Sequence, residues 1–265
     1  MKYKRVLTIA GSDSCGGAGI QADIKTIMAC GCYAASAVTA VTVQNTLGVT
    51  AVHPIPLDVI EGQIEAVLSD VGADAVKIGM LHSSAVVEVV CRALDRFRPA
   101  HVVVDPVMVS TSGHRLIEES AVEMLRRELL PRASIITPNI PEAEILLGRT
   151  IVRAADLDTA ARELALLGCR GVLLKAGHLE DDLLTDIFLS PDGELHRLSA
   201  PRVETHNTHG TGCTLSSAVA SHLALGYDYA EGVRRAKEYL LGALTDGAKY
   251  ELGGGHGAVN HGFRV

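Results

Sequence analysis

Short runs of Val, Ile, Leu and Ala alternate along this chain with amphipathic stretches of about 10–15 residues. Strands of a parallel sheet are buried on both faces and read as continuous apolar runs, and helices usually connect them. The alternation therefore predicts an α/β fold built from repeated βα units on a mostly parallel sheet. No Pro-rich, Ser-rich or charge-rich linker interrupts the series, so we expect a single domain over residues 1–265.

The first βα unit is the clearest one. Residues 5–10 are predicted to form a buried strand, residues 11–19 a glycine-rich turn and residues 20–29 a helix. Further strands are predicted at residues 37–44, 75–80, 101–107, 134–138 and 171–176, with a hairpin of residues 186–189 and 195–199. Helices are predicted at residues 57–71, 84–97, 119–130, 155–167, 214–225 and 230–249, and a short helix opens after Asn139.

Composition and charge argue against several classes of partner. The net charge is −7 with scattered Lys and Arg, and aromatic residues make up only 3% with no Trp, so we expect no nucleic-acid partner. No apolar stretch approaches the roughly 18 residues of a membrane helix, and the first apolar run is shorter than a signal-peptide core. The six cysteines contain no CxxC pair, which favours reduced thiols. We therefore expect a cytoplasmic protein that does not insert into membranes.

A Gly/Thr loop at residues 207–213 (NTHGTGC) leads directly into a predicted helix. Glycines let several backbone N–H groups point at one spot, and a helix N-terminus favours negative charge there. The pattern indicates an anion hole formed by Gly210, Thr211 and Gly212, with an ordinary helix start as the alternative. A thiol in the first helical turn has a stabilised thiolate, so Cys213 is a candidate to accept a proton from a substrate hydroxyl. The alternative is an inert, half-buried small residue.

Polar residues also follow the predicted strands, and ligands of open α/β sheets bind outside the carboxyl ends of the strands. Asn139 and Glu142 place an amide and a carboxylate three residues apart, and Asp105 ends a neighbouring strand. Such oxygen groups suit Mg²⁺ held largely through water, although Glu142 alone also suits a helix N-terminus. Lys175 would present a positive charge at the same edge or extend to solvent. Asp23 falls within reach of this edge, with a solvated or capping acid as the alternative.

Two other features carry less information. The glycine-rich segment of residues 11–19 is neither a GxGxxG motif nor a Walker A loop, because its glycines fall at other positions and no Lys-Ser/Thr follows them. His206 and His209 are spaced for two metal ligands, but no third ligand is evident nearby. We expect the tail of residues 253–257, followed by His261, to be flexible rather than metal-binding.

Taken together, these residues resemble the ribokinase-like superfamily, and within it the hydroxymethylpyrimidine/phosphomethylpyrimidine kinases of thiamine biosynthesis. The resemblance covers nearly the whole chain through eight motifs in order: residues 7–13 (LTIAGSD), 16–23 (GGAGIQAD), 43–45 (VQN), 77–80 (KIGM), 105–108 (DPVM), 136–139 (ITPN) with Glu142, 175–178 (KAGH) and 207–213 (NTHGTGC). It implies a ribokinase-like three-layer sandwich with a twisted sheet between helices, a homodimer, and two ATP- and Mg²⁺-dependent phosphorylations, first of the hydroxymethyl group and then of the monophosphate.

The resemblance also implies roles for individual residues. The pyrimidine pocket would comprise Gly11, Asp23, Gln44, Met80, Val107 and Cys213. ATP would contact Asn139, Lys175, Thr208 and Lys237, and Asp105, Asn139 and Glu142 would organise Mg²⁺. Many superfamily members carry Asp where this chain has Cys213, and relatives carry Lys and an acid where it has Thr111 and His114. A lysine contact from that loop to phosphate is therefore not expected, and Arg115 is the alternative.

Two other functions are compatible with these residues. A pyridoxal/pyridoxine kinase would use the same scaffold for another ring alcohol. Gln44 and Met80 favour an aminopyrimidine, because an amide side chain can pair with a ring nitrogen and the adjacent amino group together. A catalytically silent ligand-binding protein on the same fold is the other alternative. The anion loop, Cys213, Asn139, Glu142 and Lys175 argue against it.

Overall fold

A nine-stranded mixed sheet runs through the computed structural model, which describes residues 2–108, 117–176 and 183–264. The strands are β1 (Arg5–Asp13), β2 (Tyr33–Asn45), β3 (Gly48–Pro54), β4 (Ala75–Ile78), β5 (Val102–Val104), β6 (Ile135–Ile136), β7 (Val172–Leu174), β8 (Leu183–Leu189) and β9 (Leu195–Pro201). Their order in the sheet is β3-β2-β1-β4-β5-β6-β7-β8-β9. The six strands from β2 to β7 in this order are parallel, whereas β3, β8 and β9 pair antiparallel.

Eight α-helices cover the sheet within the described residues. They are α1 (Gly19–Ala29), α2 (Leu57–Ala66), α3 (Ser84–Phe97), α4 (Glu119–Met124), α5 (Ile140–Leu147), α6 (Leu157–Ala165), α7 (Thr211–Leu225) and α8 (Tyr229–Gly247). Single turns of π-helix extend α2 through Val67–Val71 and α4 through Leu125–Leu129. None of the helices in the part of the chain that the structure describes is long and apolar enough to cross a membrane.

Two apolar cores separate the layers. Alternate residues of each strand face opposite sides, so Leu7 and Ile9 of β1 join the core under α2 to α6, whereas Val6 joins the core under α1, α7 and α8. In β5, Val103 likewise points away from its two neighbours. The predicted α/β sandwich, with a mostly parallel sheet between two helix layers, is therefore confirmed.

Several elements differ in their bounds from the sequence predictions, and the differences at β1 and β3 have clear physical reasons. β1 continues through Ser12 and Asp13, which were assigned to a turn, because a shift in register after Ala10 lets both residues pair with β2. β3 was not predicted at all. It lies at the edge of the sheet, and most of its side chains are half-buried or exposed, so no apolar run marks it.

Candidate active site

A cavity of about 570 Å³ lies where the parallel strands end. Most of the predicted site residues line it, and they come from β1, β2, the segments after β4 to β7, the starts of α5 and α7, and the middle of α8. These lining residues are Gly11, Gln44, Met80, Asp105, Val107, Asn139, Glu142, Lys175, Thr208, Gly210, Thr211, Gly212, Cys213 and Lys237. The structure thus brings together residues that are up to about two hundred positions apart in the sequence.

The predicted anion loop forms one wall of the cavity. Helix α7 begins at Thr211, and Gly210 precedes it with a φ of 80°, a conformation that favours glycine. A Cβ at Gly210 would lie 1.7 Å from the Gly17 carbonyl oxygen, so only glycine allows the two loops to meet. The first N–H groups of a helix have no carbonyl within the helix to bind. The amides of Gly212 and Cys213 are therefore donors at the cavity wall, beside the positive end of the helix dipole.

Lys175 and Asp105 form an ion pair directly beside this loop. Lys175 Nζ donates to Asp105 Oδ1 at 2.9 Å, and Thr137 Oγ1 donates to the same oxygen at 3.0 Å. Burial alone would raise the pKa of Asp105, but the ammonium groups of Lys175 and Lys77 outweigh it and hold this pKa below its usual value. A Cβ at Gly212 would lie 3.2 Å from both Asp105 Oδ2 and Lys175 Nζ. A fixed positive charge thus lies beside the backbone donors.

Asn139 and Glu142 hold the first turn of α5. The Asn139 side chain accepts the Glu142 N–H at 2.9 Å, and the Glu142 carboxylate accepts the Asn139 N–H at 2.8 Å. This reciprocal pair is a capping box, so the structural role considered for Glu142 is present in addition to its place at the cavity. Burial raises the pKa of Glu142 to about 7, with Lys175 opposing the rise and Asp105 adding to it.

These oxygen groups fit Mg²⁺ only in an indirect way. No group of three or more His, Cys, Asp and Glu side chains that could hold a metal occurs among residues 2–108, 117–176 and 183–264. The Asp105 carboxylate is bound by Lys175, and the Glu142 carboxylate by a backbone amide. Burial disfavours the ionised form of Glu142, and a nearby cation would stabilise it. The donor set therefore fits Mg²⁺ held mainly through water and phosphate oxygens.

Asp23 does not line the cavity, so its predicted place in the ring pocket is wrong. Its side chain is fully buried, and Lys77 Nζ lies 2.9 Å from both carboxylate oxygens. Thr8 Oγ1 and Ser217 Oγ also donate to the carboxylate, at 2.6 and 2.7 Å. The sequence correctly predicts that Asp23 lies in the first turns of α1. Its carboxylate is directed into the interior, because the wholly buried Lys77 of β4 requires a counter-charge there. Asp23 is neither a solvated acid nor a helix cap.

Cys213 lies at the cavity wall, but its predicted thiolate is not favoured. Burial raises the pKa of the Cys213 thiol to about 11, although Lys77 and a hydrogen bond from the Gly19 amide act in the opposite direction. The stabilisation expected from the first helical turn is therefore too small to offset the loss of water. The thiol form therefore predominates at neutral pH, and only a small fraction is present as the thiolate that could act as a base.

Asp13 and His209, which were not predicted as ring-pocket residues, form a cluster with the predicted Gln44. His209 Nε2 lies 2.9 Å from Asp13 Oδ2 and 3.3 Å from Gln44 Nε2, and all three residues line the cavity. Asp13 also accepts the amides of Gly17 and Ala18, at 3.0 and 2.8 Å. The histidine was considered only as a metal ligand. No sequence signal joins Asp13 to a partner 196 residues away.

The C-terminal strap, residues 253–261, packs along this cluster. Its His256 and Gly255 amides donate to the Thr46 carbonyl and hydroxyl at 2.9 and 3.2 Å, and its Gly257 carbonyl accepts the His209 amide at 3.0 Å. His261 is buried and contacts Thr214 Oγ1 at 3.0 Å. The expectation of a flexible tail is therefore wrong, because the glycines serve close packing.

Lys237 and the residues around it form the other end of the cavity. Lys237 Nζ is paired with Asp186 Oδ2, and Asp186 also accepts the Ala176 amide at 2.8 Å. Apolar side chains of α5, α8 and the segment after β9 lie on the same wall; they are Ile145, Val203, Leu240, Leu241 and Leu244. This apolar wall was not predicted from the sequence, and it gives the cavity an apolar end beside its polar centre.

Some sequence predictions fall outside the described residues. The loop that contains Thr111, His114 and Arg115 lies in 109–116, and the last two residues of the motif at 175–178 lie in 177–182. The predictions made for them stay predictions.

Comparisons with known proteins agree on one family. A model of the phosphomethylpyrimidine kinase family matches residues 13–260. The hydroxymethylpyrimidine/phosphomethylpyrimidine kinase of Rhizobium meliloti is 47% identical over 256 residues, which cover 96% of this chain and 96% of that protein. The thiamine biosynthesis bifunctional protein ThiED of Geobacter sulfurreducens is 48% identical over 97% of this chain, and this chain spans about half of that protein, 52%.

Solved structures give the same picture of the fold. A phosphomethylpyrimidine kinase from Clostridium difficile 630 is 44% identical with a TM-score of 0.81, and the match covers 91% of this chain and 99% of that one. An ADP complex of Bacillus subtilis pyridoxal kinase is 32% identical with a TM-score of 0.91, and the match covers 99% of both chains.

Proposed function

This chain belongs to the phosphomethylpyrimidine kinase family, and from that premise we propose that it phosphorylates hydroxymethylpyrimidine with ATP and then phosphorylates the monophosphate, in thiamine biosynthesis. The observation that carries the proposal is that the Gln44 amide, the anion loop and Lys175 all line one cavity. A ring bound at the Gln44 amide would bring its hydroxymethyl group towards the anion loop and Lys175. The test is ATP turnover with hydroxymethylpyrimidine and, separately, with its monophosphate.

The ring would lie among Gly11, Gln44, Met80 and Val107. A Cβ at Gly11 would lie 3.1 Å from the Met80 sulfur, so glycine leaves room for the thioether against the ring pocket. Met80 is almost fully buried and offers an apolar, polarisable surface, while Gln44 offers one donor and one acceptor. This combination supports an aminopyrimidine, because its ring nitrogen and exocyclic amino group match an amide edge.

Positioning and charge stabilisation would supply most of the rate. The transition state of phosphoryl transfer is loose and highly charged, so groups that already point at it act without reorganising. The Gly212 and Cys213 amides and the Lys175 ammonium group converge on one region of the cavity. We assign the transferred phosphoryl group to this region. Thr208 and Lys237 would contact ATP, and the apolar wall of α8 would accept its base.

Asp105, Asn139 and Glu142 would hold Mg²⁺, mainly through water. When bound, the ion would neutralise phosphate charge. Within the chain, Lys175 favours the ionised form of Asp105, whereas burial raises the pKa of Glu142 to about 7, so a further cation would favour the ionised form of Glu142. These residues would therefore hold a hydrated cation near Lys175 and the start of α5.

Replacement of Glu142 by Gln is expected to raise the Mg²⁺ concentration needed for half-maximal turnover several-fold. The amide keeps much of the shape of the side chain but cannot carry the negative charge that a cation stabilises. Steady-state kinetics over a Mg²⁺ titration measure this change. The control is Glu144→Gln on the same helix, since Glu144 binds the Ile151 amide at 2.7 Å and does not line the cavity. Equal Mg²⁺ dependence in both variants would contradict the metal assignment.

Gln44→Leu is expected to weaken binding of the aminopyrimidine about 10–100-fold. The polar edge of the ring loses its hydrogen bonds to water on binding, and the leucine side chain offers none in their place. ATP affinity should change little, since Gln44 lies on β2, and the Lys237 end of the cavity is built by other elements. Calorimetric titration with the ring alcohol and with a non-hydrolysable ATP analogue measures both affinities. Equal binding of the ring by both proteins would show that Gln44 does not read it.

A pyridoxal-type ring is the second candidate substrate. The TM-score of 0.91 with the Bacillus subtilis pyridoxal kinase favours it. That kinase is nevertheless only 32% identical to this chain, against 47% for the Rhizobium meliloti kinase. Turnover of pyridoxal in preference to the aminopyrimidine would reverse the order of the two. A catalytically silent protein is disfavoured, because the family consists of kinases.

We further propose a homodimer, a single domain over residues 1–265 and a cytoplasmic location. The exposed apolar side chains Val41 and Val43 on one face of β2, with Leu47 beside them, support an interface at this edge of the sheet. The continuous nine-stranded sheet supports one domain. All six cysteines lie in the described part of the chain and are unpaired, which suits a reducing compartment.

A further inference from the structure

The hydrogen bond between Asp13 and His209 fixes which atom of the imidazole carries a proton. Asp13 is almost fully buried; burial would raise its pKa, but the hydrogen bonds from His209 and from the Ala18 and Cys15 amides hold it below its usual value. The ionised carboxylate can only accept hydrogen bonds. His209 Nε2, 2.9 Å from Asp13 Oδ2, must therefore carry a hydrogen and donate it.

This donor determines how the Gln44 amide can lie. A nitrogen that carries a hydrogen cannot accept one from the amide –NH₂, which lies 3.3 Å away, whereas it can share its hydrogen with the amide oxygen. A half-turn of the amide exchanges the two atoms. The –NH₂ nitrogen then takes the place of the amide oxygen, 3.1 Å from Thr42 Oγ1. The Thr42 hydroxyl donates to the Ser12 carbonyl at 3.0 Å. Each contact in this chain then joins a donor to an acceptor, and the second N–H of Gln44 is left to donate to a ligand.

The imidazole is held in place independently of Gln44. His209 is 5% exposed, its amide donates to Gly257 of the C-terminal strap, and a Cβ at Gly17 would lie 2.5 Å from its Cδ2. The ring therefore cannot turn to suit either orientation of the amide. On the other side, Thr42 is buried and its hydroxyl is held by the Ser12 carbonyl.

We infer that His209, held by Asp13, is a positioning residue that fixes the orientation of the Gln44 amide, so that its oxygen and nitrogen present one defined acceptor–donor order to the substrate ring. This inference rests on the proposed function and deepens it. An aminopyrimidine carries an acceptor nitrogen next to a donor amino group, and only one order of the amide atoms matches it. A pyridoxal-type ring has no such adjacent pair, so the fixed amide discriminates between the two rings.

The test is a double-mutant cycle on the full-length enzyme with the aminopyrimidine alcohol and with ATP. His209→Leu is expected to raise the KM for the aminopyrimidine about tenfold and to leave the KM for ATP within about twofold, because an amide that turns freely must be ordered by the substrate. His209→Gln, whose side-chain nitrogen can donate at a similar reach, should recover most of the loss. In a Gln44→Leu background, His209→Leu should have no further effect on the aminopyrimidine KM.

Thr42→Val approaches the same amide from its other end and does not alter the anion loop. It should raise the aminopyrimidine KM in the same direction, again only when Gln44 is present. Equal losses from His209→Leu with and without Gln44, or equal losses in ATP and ring affinity, would overturn the positioning role. If the unchanged enzyme fails to phosphorylate the aminopyrimidine at all, the proposed function itself is overturned and this inference with it. The two failures are therefore distinguishable.

Discussion

Lys77→Met is expected to destabilise the protein by about 3–5 kcal/mol, because it leaves the Asp23 carboxylate buried without its counter-charge. Both side chains are fully buried, and Lys77 Nζ lies 2.9 Å from each oxygen of Asp23. For a chain of this size about 1 kcal/mol corresponds to roughly 2–4 °C, so the midpoint of thermal unfolding should fall by roughly 6–20 °C. Thermal and urea unfolding followed by circular dichroism measure the loss.

The double variant Lys77→Met with Asp23→Asn should recover a large part of this stability, since it removes the unpaired charge as well. Lys249→Met is the matched control: its ion pair with Asp246 has a largely exposed lysine, and exposed pairs contribute about 0–1 kcal/mol. A loss from Lys77→Met no larger than that from Lys249→Met would show that the buried pair does not carry the stability assigned to it.

Cys213→Ser is expected to slow phosphoryl transfer about 10²-fold, near the lower end of the usual range for a general base, because the proton leaves late in a loose transition state. The sign of the pH dependence follows from the raised pKa of the thiol, about 11. Only the thiolate can accept a proton, so the single-turnover rate of the unchanged enzyme should rise with pH from neutral towards that value. Cys213→Ser should lack this rise, and Cys213→Asp should recover activity without it.

Cys169→Ser serves as the control, since this buried thiol contacts the Leu164 carbonyl away from the cavity. If Cys213→Ser matches the unchanged enzyme at every pH, Cys213 serves only for packing. Asp23 would not replace it as the base, because Lys77, Thr8 and Ser217 already engage its carboxylate in the interior. The anion hole is tested separately, as its donors are backbone amides that both variants keep.

Elements with a strong local pattern could be predicted from the sequence. Helix α3 was predicted with its observed ends, because its apolar residues form one clear face and Ser83 caps its start. The β8–β9 hairpin was predicted from its turn. β3 could not be predicted, since an edge strand with few buried side chains carries no such pattern.

The site shows the same division between local and tertiary information. Strand ends and the glycine loop could be placed at one edge because all parallel strands end there. The direction of a single side chain depends on partners far along the chain. The Asp23 carboxylate is directed towards Lys77, 54 residues away, and the His209 ring towards Asp13. The pKa of Cys213 depends on burial, which the first-turn position alone does not reveal.

The C-terminal strap has a consequence for how the pocket is made during translation. All strands and helices of the described residues lie before residue 253, so their sequence is translated before the strap. The Gly255 and His256 contacts with Thr46, and the Gly257 contact with His209, can form only after the strap emerges. The contacts that complete the ring pocket are therefore made by a segment that is translated after the strands and helices of the described residues.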